Sequence, residues 1–157
     1  MICAIMNIIE LLKAPEGKTL EFTRDISSPH EIIATIIAFA NTAGGTLVIG
    51  VQDKTHNIIG VADPFSIEEK ITNLITHWIA PQILPDIKIL PYKQMQVLAI
   101  IVHPSPIRPH FLKNKGLENG TYIRIGSTNR KADIALIHEL QRFALNKSYD
   151  EQLFTEM

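Results

Sequence analysis

Hydrophobic and polar positions along the chain follow two different periods, which predicts a mixture of strands and helices. Residues 18–24 alternate, with Leu20 and Phe22 on one side and polar residues on the other, as in a half-buried strand. The apolar run IIATIIAFA follows a capping signature that starts at Ser28 and includes a first-turn proline. A buried core helix is therefore predicted to begin there.

The later segments continue this mixture. TLVIGV is a continuous apolar run typical of a central strand buried on both faces, and IIGVA is predicted to return as a short strand. A second core helix is predicted from the capping signature of Ser66 and Glu69 through to Pro81. DIKILPY, VLAIIV and TYIRIG are predicted to be strands, and an amphipathic helix follows from about Asp133 to Leu145.

These elements indicate an α+β fold in which a mixed β-sheet and two core helices form two layers, with further helices at both ends of the chain. The N-terminal segment lacks the charge and cleavage pattern of a signal peptide, and Glu10 interrupts its apolar run, so no membrane span is predicted. The length fits a single domain over residues 1–146. The polar tail, residues 147–157, is expected to fray.

Charge and composition narrow the possible partners. The net charge of -1 gives no global positive field, so any binding to nucleic acid must come from a local patch. The single cysteine, Cys3, cannot form an internal disulfide and is typical of a reducing compartment, so a cytoplasmic location is predicted. The six histidines lack a paired metal-ligand spacing, and no cofactor is predicted from them.

A basic segment lies between His103 and Lys131, where six cations accompany one acid, Glu118. Strand alternation would place Tyr122 and Arg124 on one face, so that a ring and a guanidinium together contact phosphates and stack on bases. The alternative for the lysines is a solvated loop. The predicted nucleic-acid-binding residues are Arg108, Lys113, Lys115, Tyr122, Arg124, Arg130 and Lys131.

The turn between the first core helix and the central strand leaves two interpretations open. Gly44 and Gly45 are required by backbone geometry in one of them, and Asn41 caps carbonyls freed at the helix end. In the other, the two glycines let a phosphate approach the backbone, with exposed amides as donors.

Three segments, EGKTLEF, IIAFANTAGGTLVIGVQD and TYIRIGSTNRKA, together resemble the Schlafen AlbA-type family of predicted DNA-binding domains. The resemblance covers about residues 7–146 and implies a mixed sheet flanked by helices. It also implies a nucleic-acid-binding domain, with DNA favoured over RNA, of the kind that begins transcriptional regulators and helicase-like proteins. Residues 147–157 would then begin a downstream region found in longer relatives. Two further possibilities stay open: that the chain forms a homodimer, and that it is an assembly domain without a nucleic-acid role.

The same resemblance implies an alternative, because the Schlafen branch has paired glutamates and a later aspartate that form a metal-dependent RNA-cleaving site. Glu16 and Glu21 match the pair, Asp53 is the nearest match for the aspartate, and Mg²⁺ or Mn²⁺ suits such oxygen ligands. An extended strand would separate the two glutamates by about 17 Å, so their convergence requires a bend at Gly17. Thr23 also replaces a basic residue of the family motif. The chain is therefore predicted to bind nucleic acid, with an endoribonuclease as the alternative.

Overall fold

A computed structural model describes the backbone of residues 7–156 and the side chains of residues 7–146. Cys3 lies outside these described residues. The helices are α1 (Ile8–Lys13), α2 (Pro29–Asn41), α3 (Pro64–Trp78), α4 (Gly116–Gly120) and α5 (Ile134–Glu156). The strands are β1 (Leu20–Thr23), β2 (Gly45–Ile49), β3 (Ile79–Ala80), β4 (Asp86–Tyr92), β5 (Met95–Val102), β6 (Phe111–Leu112), β7 (Tyr122–Ile125) and β8 (Thr128–Lys131).

Four of the strands form a mixed sheet in the order β1-β2-β5-β4. β1 runs parallel to β2, whereas β5 runs antiparallel to both of its neighbours. Pro91 is tolerated in β4 because this strand lies at the edge of the sheet, where one row of amides has no partner strand. Two small sheets pair β3 with β6 and β7 with β8. The fold is α+β, as predicted.

The central sheet is buried on both faces, which confirms the interpretation of TLVIGV as a central strand. Leu47 and Ile49 of β2 belong to the core that includes α2 and α3. Val48 points to the opposite face, where it packs in a cluster with Ile8 of α1. α2 is buried at every residue from Ile32 to Asn41. This apolar helix therefore fixes one face of the sheet and provides a rigid support for whatever packs on its outer side.

Two helix boundaries differ from the prediction. The N-cap of α3 is Asp63, whose carboxylate accepts a hydrogen bond from the Ser66 amide at 3.2 Å, so Ser66 itself is not the cap. Asp caps as well as Ser does, and Pro64 suits the first helical position. α5 continues to Glu156, past the predicted end at Leu145, because residues 147–156 contain neither glycine nor proline to end it. The tail that was expected to fray thus has a helical backbone as far as Glu156.

The segment IIGVA does not form the predicted strand. It contributes only an isolated bridge between Val51 and Ile58. Gly50 and Gly60 have φ values of 106° and 79°, and the amides of Ile59 and Gly60 both donate to the Gly50 carbonyl at 2.8 Å. The glycines therefore turn the chain where an extended strand was expected. No helix of residues 7–156 has the length and apolar character that a membrane crossing needs.

Candidate functional site

Arg124 lies at the centre of a buried polar network that joins the first and last sequence motifs. Its side chain is 0% exposed. Nε and Nη2 donate to the Gly17 carbonyl at 3.1 and 2.9 Å, and Nη2 also contacts the Leu20 carbonyl at 3.3 Å. Nη1 donates to Asn129 Oδ1 at 2.8 Å and lies 2.9 Å from Glu21 Oε1. The guanidinium is satisfied inside the protein, so the predicted exposure of Arg124 on a binding face is wrong.

The packing of the β7–β8 hairpin on α2 explains this burial. Alternation does place Arg124 and Tyr122 on one face of β7, but that face is directed toward α2. The guanidinium carbon lies 5.1 Å from the centroid of the Phe39 ring. Asn129 of β8 extends the network, because its amide nitrogen donates to Thr35 Oγ1 of α2 at 2.8 Å. The arginine therefore fastens the hairpin to the helix.

Glu16 and Glu21 converge beside this network. The Glu16 carboxylate accepts a hydrogen bond from the Phe22 amide at 2.8 Å, and its carboxyl group also lies within hydrogen-bond reach of Glu21. The separation expected for an extended strand does not arise, because the strand begins only at Leu20. Before it the chain turns, and the Gly17 amide donates to the Leu20 carbonyl at 3.0 Å. The bend at Gly17 that convergence of the two glutamates requires is therefore present.

Glu21 has an unusual protonation equilibrium. Desolvation by burial raises its pKa most, the hydrogen bond with Glu16 raises it further, and Arg124 acts in the opposite direction; the resulting pKa is about 7. Glu21 can thus hold a proton near neutral pH, which reduces the repulsion between two close carboxyl groups. Glu21 also lines an open pocket of about 250 Å³, together with Glu31, Asp53 and Asn129.

The three predicted metal ligands are only partly assembled. Glu16 and Glu21 are in contact and Asp53 lines the same pocket as Glu21. Among the described side chains, no group of three or more His, Cys, Asp or Glu residues is placed to hold a metal ion. Mg²⁺ and Mn²⁺ need ionised oxygen ligands, whereas Glu21 is already paired with Arg124, and its pKa, raised to about 7 chiefly by burial, disfavours the ionised form. This arrangement therefore does not fit a divalent metal.

Asn41 forms a second buried polar centre and is 0% exposed. Its amide nitrogen donates to the carbonyl oxygens of His110 at 3.0 Å and Tyr122 at 2.9 Å. Its amide oxygen accepts a hydrogen bond from the His110 amide at 2.8 Å. Asn41 therefore ties the end of α2 to two distant segments, and its side chain is neither the predicted helix cap nor open to a phosphate.

Gly44 and Gly45 are required by close packing. Gly44 is buried with φ of 76°, and an added Cβ would lie 2.7 Å from the Val102 carbonyl oxygen. At Gly45 the added Cβ would lie 2.7 Å from the Phe39 ring. Of the two interpretations of this turn, the contacts support backbone geometry. The predicted phosphate approach at Asn41, Gly44 and Gly45 is contradicted, because neighbouring protein atoms occupy the space that a phosphate would need.

Arg108 also belongs to an internal network. Its Nη1 donates to the Asn41 carbonyl at 3.1 Å and its Nε donates to the Ser105 carbonyl at 2.9 Å. The guanidinium carbon lies 4.1 Å from the centroid of the Phe143 ring. Desolvation by burial lowers the pKa of Arg108. The side chain remains half-buried, and two of its five N–H donors bond to the backbone around the end of α2.

Three exposed lysines surround α4 and are called the α4 lysines below: Lys113, Lys115 and Lys131. Lys115 is the N-cap residue of α4. The Lys131 ammonium donates to Asn119 Oδ1 at 3.0 Å, near the other end of this short helix. The Lys113 ammonium donates to the Thr76 carbonyl of α3 at 3.1 Å. All three lysines are exposed, and two of them, Lys115 and Lys131, lie at or near the two ends of α4.

Tyr122 and Arg130 lie on opposite faces of the hairpin. Tyr122 pairs directly with Lys131 across the two strands, so its half-buried ring lies on the same face as one of the α4 lysines. Arg130 pairs with Ile123 and projects from the other face. Arg130 is exposed, but on the face of the hairpin opposite to Lys131.

Sequence reasoning missed Asn129, which completes the network around Arg124. A signal was present, because Asn129 lies within the STN part of the third motif. A tight turn after Ile125 would place Asn129 directly across from Arg124, as observed. Trp78, at the end of α3, was assigned only to the core, although it also lines a surface groove.

These contacts define an α+β domain in which two motifs, far apart in sequence, are joined by one buried arginine. The comparison with family models gives the particular family. The chain belongs to the family described as Schlafen, AlbA_2, whose model matches residues 16–133. This match covers most of the chain and confirms the resemblance found in the three motifs.

Two solved structures are similar to this chain. One is the N-terminal domain of a RecG-related helicase protein from Nitrosomonas europaea, with 22% identity and a TM-score of 0.62 over 83% of this chain and 95% of that one. The other is the DIP2311 protein from Corynebacterium diphtheriae, with 22% identity and a TM-score of 0.59 over 87% of this chain. This chain covers 27% of the length of the second protein. At this identity the likeness shows a shared fold alone.

Proposed function

We propose that this chain is a nucleic-acid-binding domain that contacts phosphates through the α4 lysines. The observation that supports it is the gathering of Lys113, Lys115 and Lys131 on the surface around α4, where Glu118 is the only acid between residues 113 and 131. The family membership and the helicase-related protein with a similar domain favour the same class of ligand. DNA is the preferred ligand, with RNA as the second.

The size of α4 lets the lysines act together. A helix of five residues is about 8 Å long at the usual rise per residue. That length is about one Debye length at physiological ionic strength, so charges at its two ends contribute to a common local field. Because the whole chain has a net charge of -1, this field is local and binding should weaken steeply as salt is added.

Fluorescence anisotropy of labelled oligonucleotides over a series of salt concentrations tests this proposal. Lys115→Ala and Lys131→Ala should each weaken binding for all sequences alike and reduce the logarithmic salt slope by roughly 0.7 to 0.9, the value for one phosphate contact. Lys88→Ala is the matched control, because Lys88 is an exposed lysine on the edge strand β4. Binding that is absent at low salt, or equally weakened by Lys88→Ala, would reject the proposal.

Metal-dependent RNA cleavage is a second candidate function, favoured by the contact of Glu16 with Glu21 and by the position of Asp53 in the same pocket. A divalent metal would supply an activated water and would stabilise charge on the phosphate. Because the described arrangement does not fit that metal, this candidate requires Glu21 to ionise and to turn away from Arg124.

An RNA-cleavage assay with and without Mn²⁺ or Mg²⁺ separates the two candidates. The second candidate predicts cleavage that needs the metal and is lost in Glu21→Gln but kept in Lys88→Ala. Equally low cleavage with and without metal, in the wild type and in both variants, removes it. Self-association without either activity would instead favour an assembly domain. A homodimer, a role in transcription and a cytoplasmic location remain predictions.

A further inference from the structure

We infer that a groove between α2 and α3 stacks one base of a single-stranded nucleic acid on Trp78, an inference that rests on the proposed function and makes it more specific. The groove is an open pocket of about 380 Å³. Residues of α3 between Lys70 and Trp78 form one wall. The other wall is formed by Pro29, the first residue of α2, and by Ile26, which precedes this helix. This volume falls within the usual range for pockets that take small organic groups.

The α3 wall is a regular helical stripe. Lys70, Asn73, Leu74, His77 and Trp78 follow the spacing i, i+3, i+4, i+7 and i+8, so all five side chains lie on one face of the helix. Leu74 and the half-buried Trp78 also pack against the main core, which holds the indole in place. The stripe thus combines a fixed aromatic and apolar surface with polar groups along its edge, as base stacking requires.

Charge at the groove is suited to a polyanion. Its lining carries the ammonium of Lys70 and the imidazole of His77 but no carboxylate. Within the described side chains, neither Lys70 nor Lys113 belongs to a salt bridge. Neither ammonium group is therefore paired with a carboxylate in place of a phosphate.

One of the α4 lysines lies at the same end of α3 as the indole. The Lys113 backbone amide donates to the Trp78 carbonyl at 2.9 Å, and its ammonium donates to the Thr76 carbonyl at 3.1 Å. A strand bound along the α4 lysines would therefore reach Trp78 with its next nucleotides. Phosphate contacts and a stacking surface lie side by side, an arrangement found where proteins hold single strands.

The occupant is a single strand because the bases of a duplex are already stacked on each other. Unpaired bases can turn outward onto an aromatic side chain, and every base offers a suitable face. Single-stranded DNA and RNA share this chemistry, so both are used as separate arms of the test. Loss of one stacked base should weaken binding about 5- to 100-fold.

Trp78 is the only tryptophan of the chain, so its intrinsic fluorescence reports on the groove directly. The full chain is titrated with unlabelled single-stranded DNA, single-stranded RNA and a DNA duplex, and parallel anisotropy titrations use labelled forms of the same oligonucleotides. We expect single strands to quench the fluorescence with the same midpoint as the anisotropy change. Trp78→Ala should lose about 5- to 100-fold in affinity, whereas Trp78→Phe should retain most of it.

Phe65→Ala is the matched control, because Phe65 is an exposed aromatic residue near the other end of α3 and outside the groove. If Trp78→Ala does not fold, Lys70→Ala replaces it, and a reduction of the salt slope by roughly 0.7 is expected for a single strand.

The outcomes separate the two proposals. Suppose that oligonucleotides bind without changing the Trp78 fluorescence, and that Lys70→Ala and Phe65→Ala both bind as the wild type does. This result overturns the proposed stacking site in the groove but not the proposed phosphate contacts of the α4 lysines. Equal quenching by duplex and single strands also overturns it. Absence of binding to every oligonucleotide overturns both proposals.

Discussion

Replacing Arg124 with alanine should destabilise the fold itself. The guanidinium makes three hydrogen bonds to the carbonyls of Gly17 and Leu20, one to Asn129 and an ion pair with Glu21, all within the protein. Removing one partner of a buried ion pair typically costs about 3 to 5 kcal/mol. The Glu21 side chain is 22% exposed and can partly regain water, which keeps the expected loss within that range.

Thermal and urea unfolding measure this effect. For a domain of this size each kcal/mol lowers the Tm by roughly 2 to 4 °C, so Arg124→Ala should melt on the order of 10 °C below wild type. Arg130→Ala is the control, because Arg130 is an exposed arginine on the other face of the same hairpin, and its effect should stay within about 0.5 kcal/mol. Equal stability of the two variants would refute the assigned role of Arg124.

Three further substitutions test other parts of the structure. Asn41→Ala removes two buried and one partly buried hydrogen bond and should cost about 2 to 4 kcal/mol in urea unfolding. Gly45→Ala places a Cβ against the Phe39 ring and should cost about 1 to 3 kcal/mol in the same assay. Between pH 4.5 and about 7 the native state keeps a proton on Glu21 that the unfolded chain releases, so stability should fall as pH rises.

Each of these has its own control. Gly17→Ala should be nearly neutral, because an added Cβ there meets nothing within 4 Å; a Gly45→Ala protein as stable as Gly17→Ala would contradict the packing argument. Glu21→Gln should flatten the stability profile between pH 4.5 and 7, and an unchanged slope would show that another group titrates. An Asn41→Ala protein of wild-type stability would mean that water replaces the lost amide.

The long elements could be predicted from sequence because their patterns are complete within the element. Helix α2 has an uninterrupted apolar run, and β5 has the apolar run of a strand buried on both faces. The two-residue strands β3 and β6 are too short to show any period, and they exist only because Ile79 meets Leu112 from a distant part of the chain. The prediction of a strand at IIGVA was wrong for a different reason. Its composition is typical of a strand, but two glycines with positive φ turn the chain there.

The residues of the candidate site could be predicted from the sequence more easily than the roles of these residues. Alternation correctly placed Arg124 and Tyr122 on one face of β7, but no local pattern tells whether that face meets water or α2. The contact between Glu16 and Glu21 depends on a turn at Gly17, and the sequence indicated only that such a turn would be required. The lysines were easier, because an exposed lysine needs no partner to remain on the surface.

The buried motif residues and the exposed lysines are connected through the hairpin. Arg124 and Asn129 fasten β7 and β8 to α2, and the same two strands carry the half-buried Tyr122 and the exposed Lys131. Arg124 can therefore affect nucleic-acid binding only by positioning, since its own charge is enclosed. A folded Arg124 variant should bind more weakly with an unchanged salt slope, whereas a Lys131 variant should change both. A salt slope that falls with Arg124 as it does with Lys131 would mean that the arginine reaches the phosphate after all.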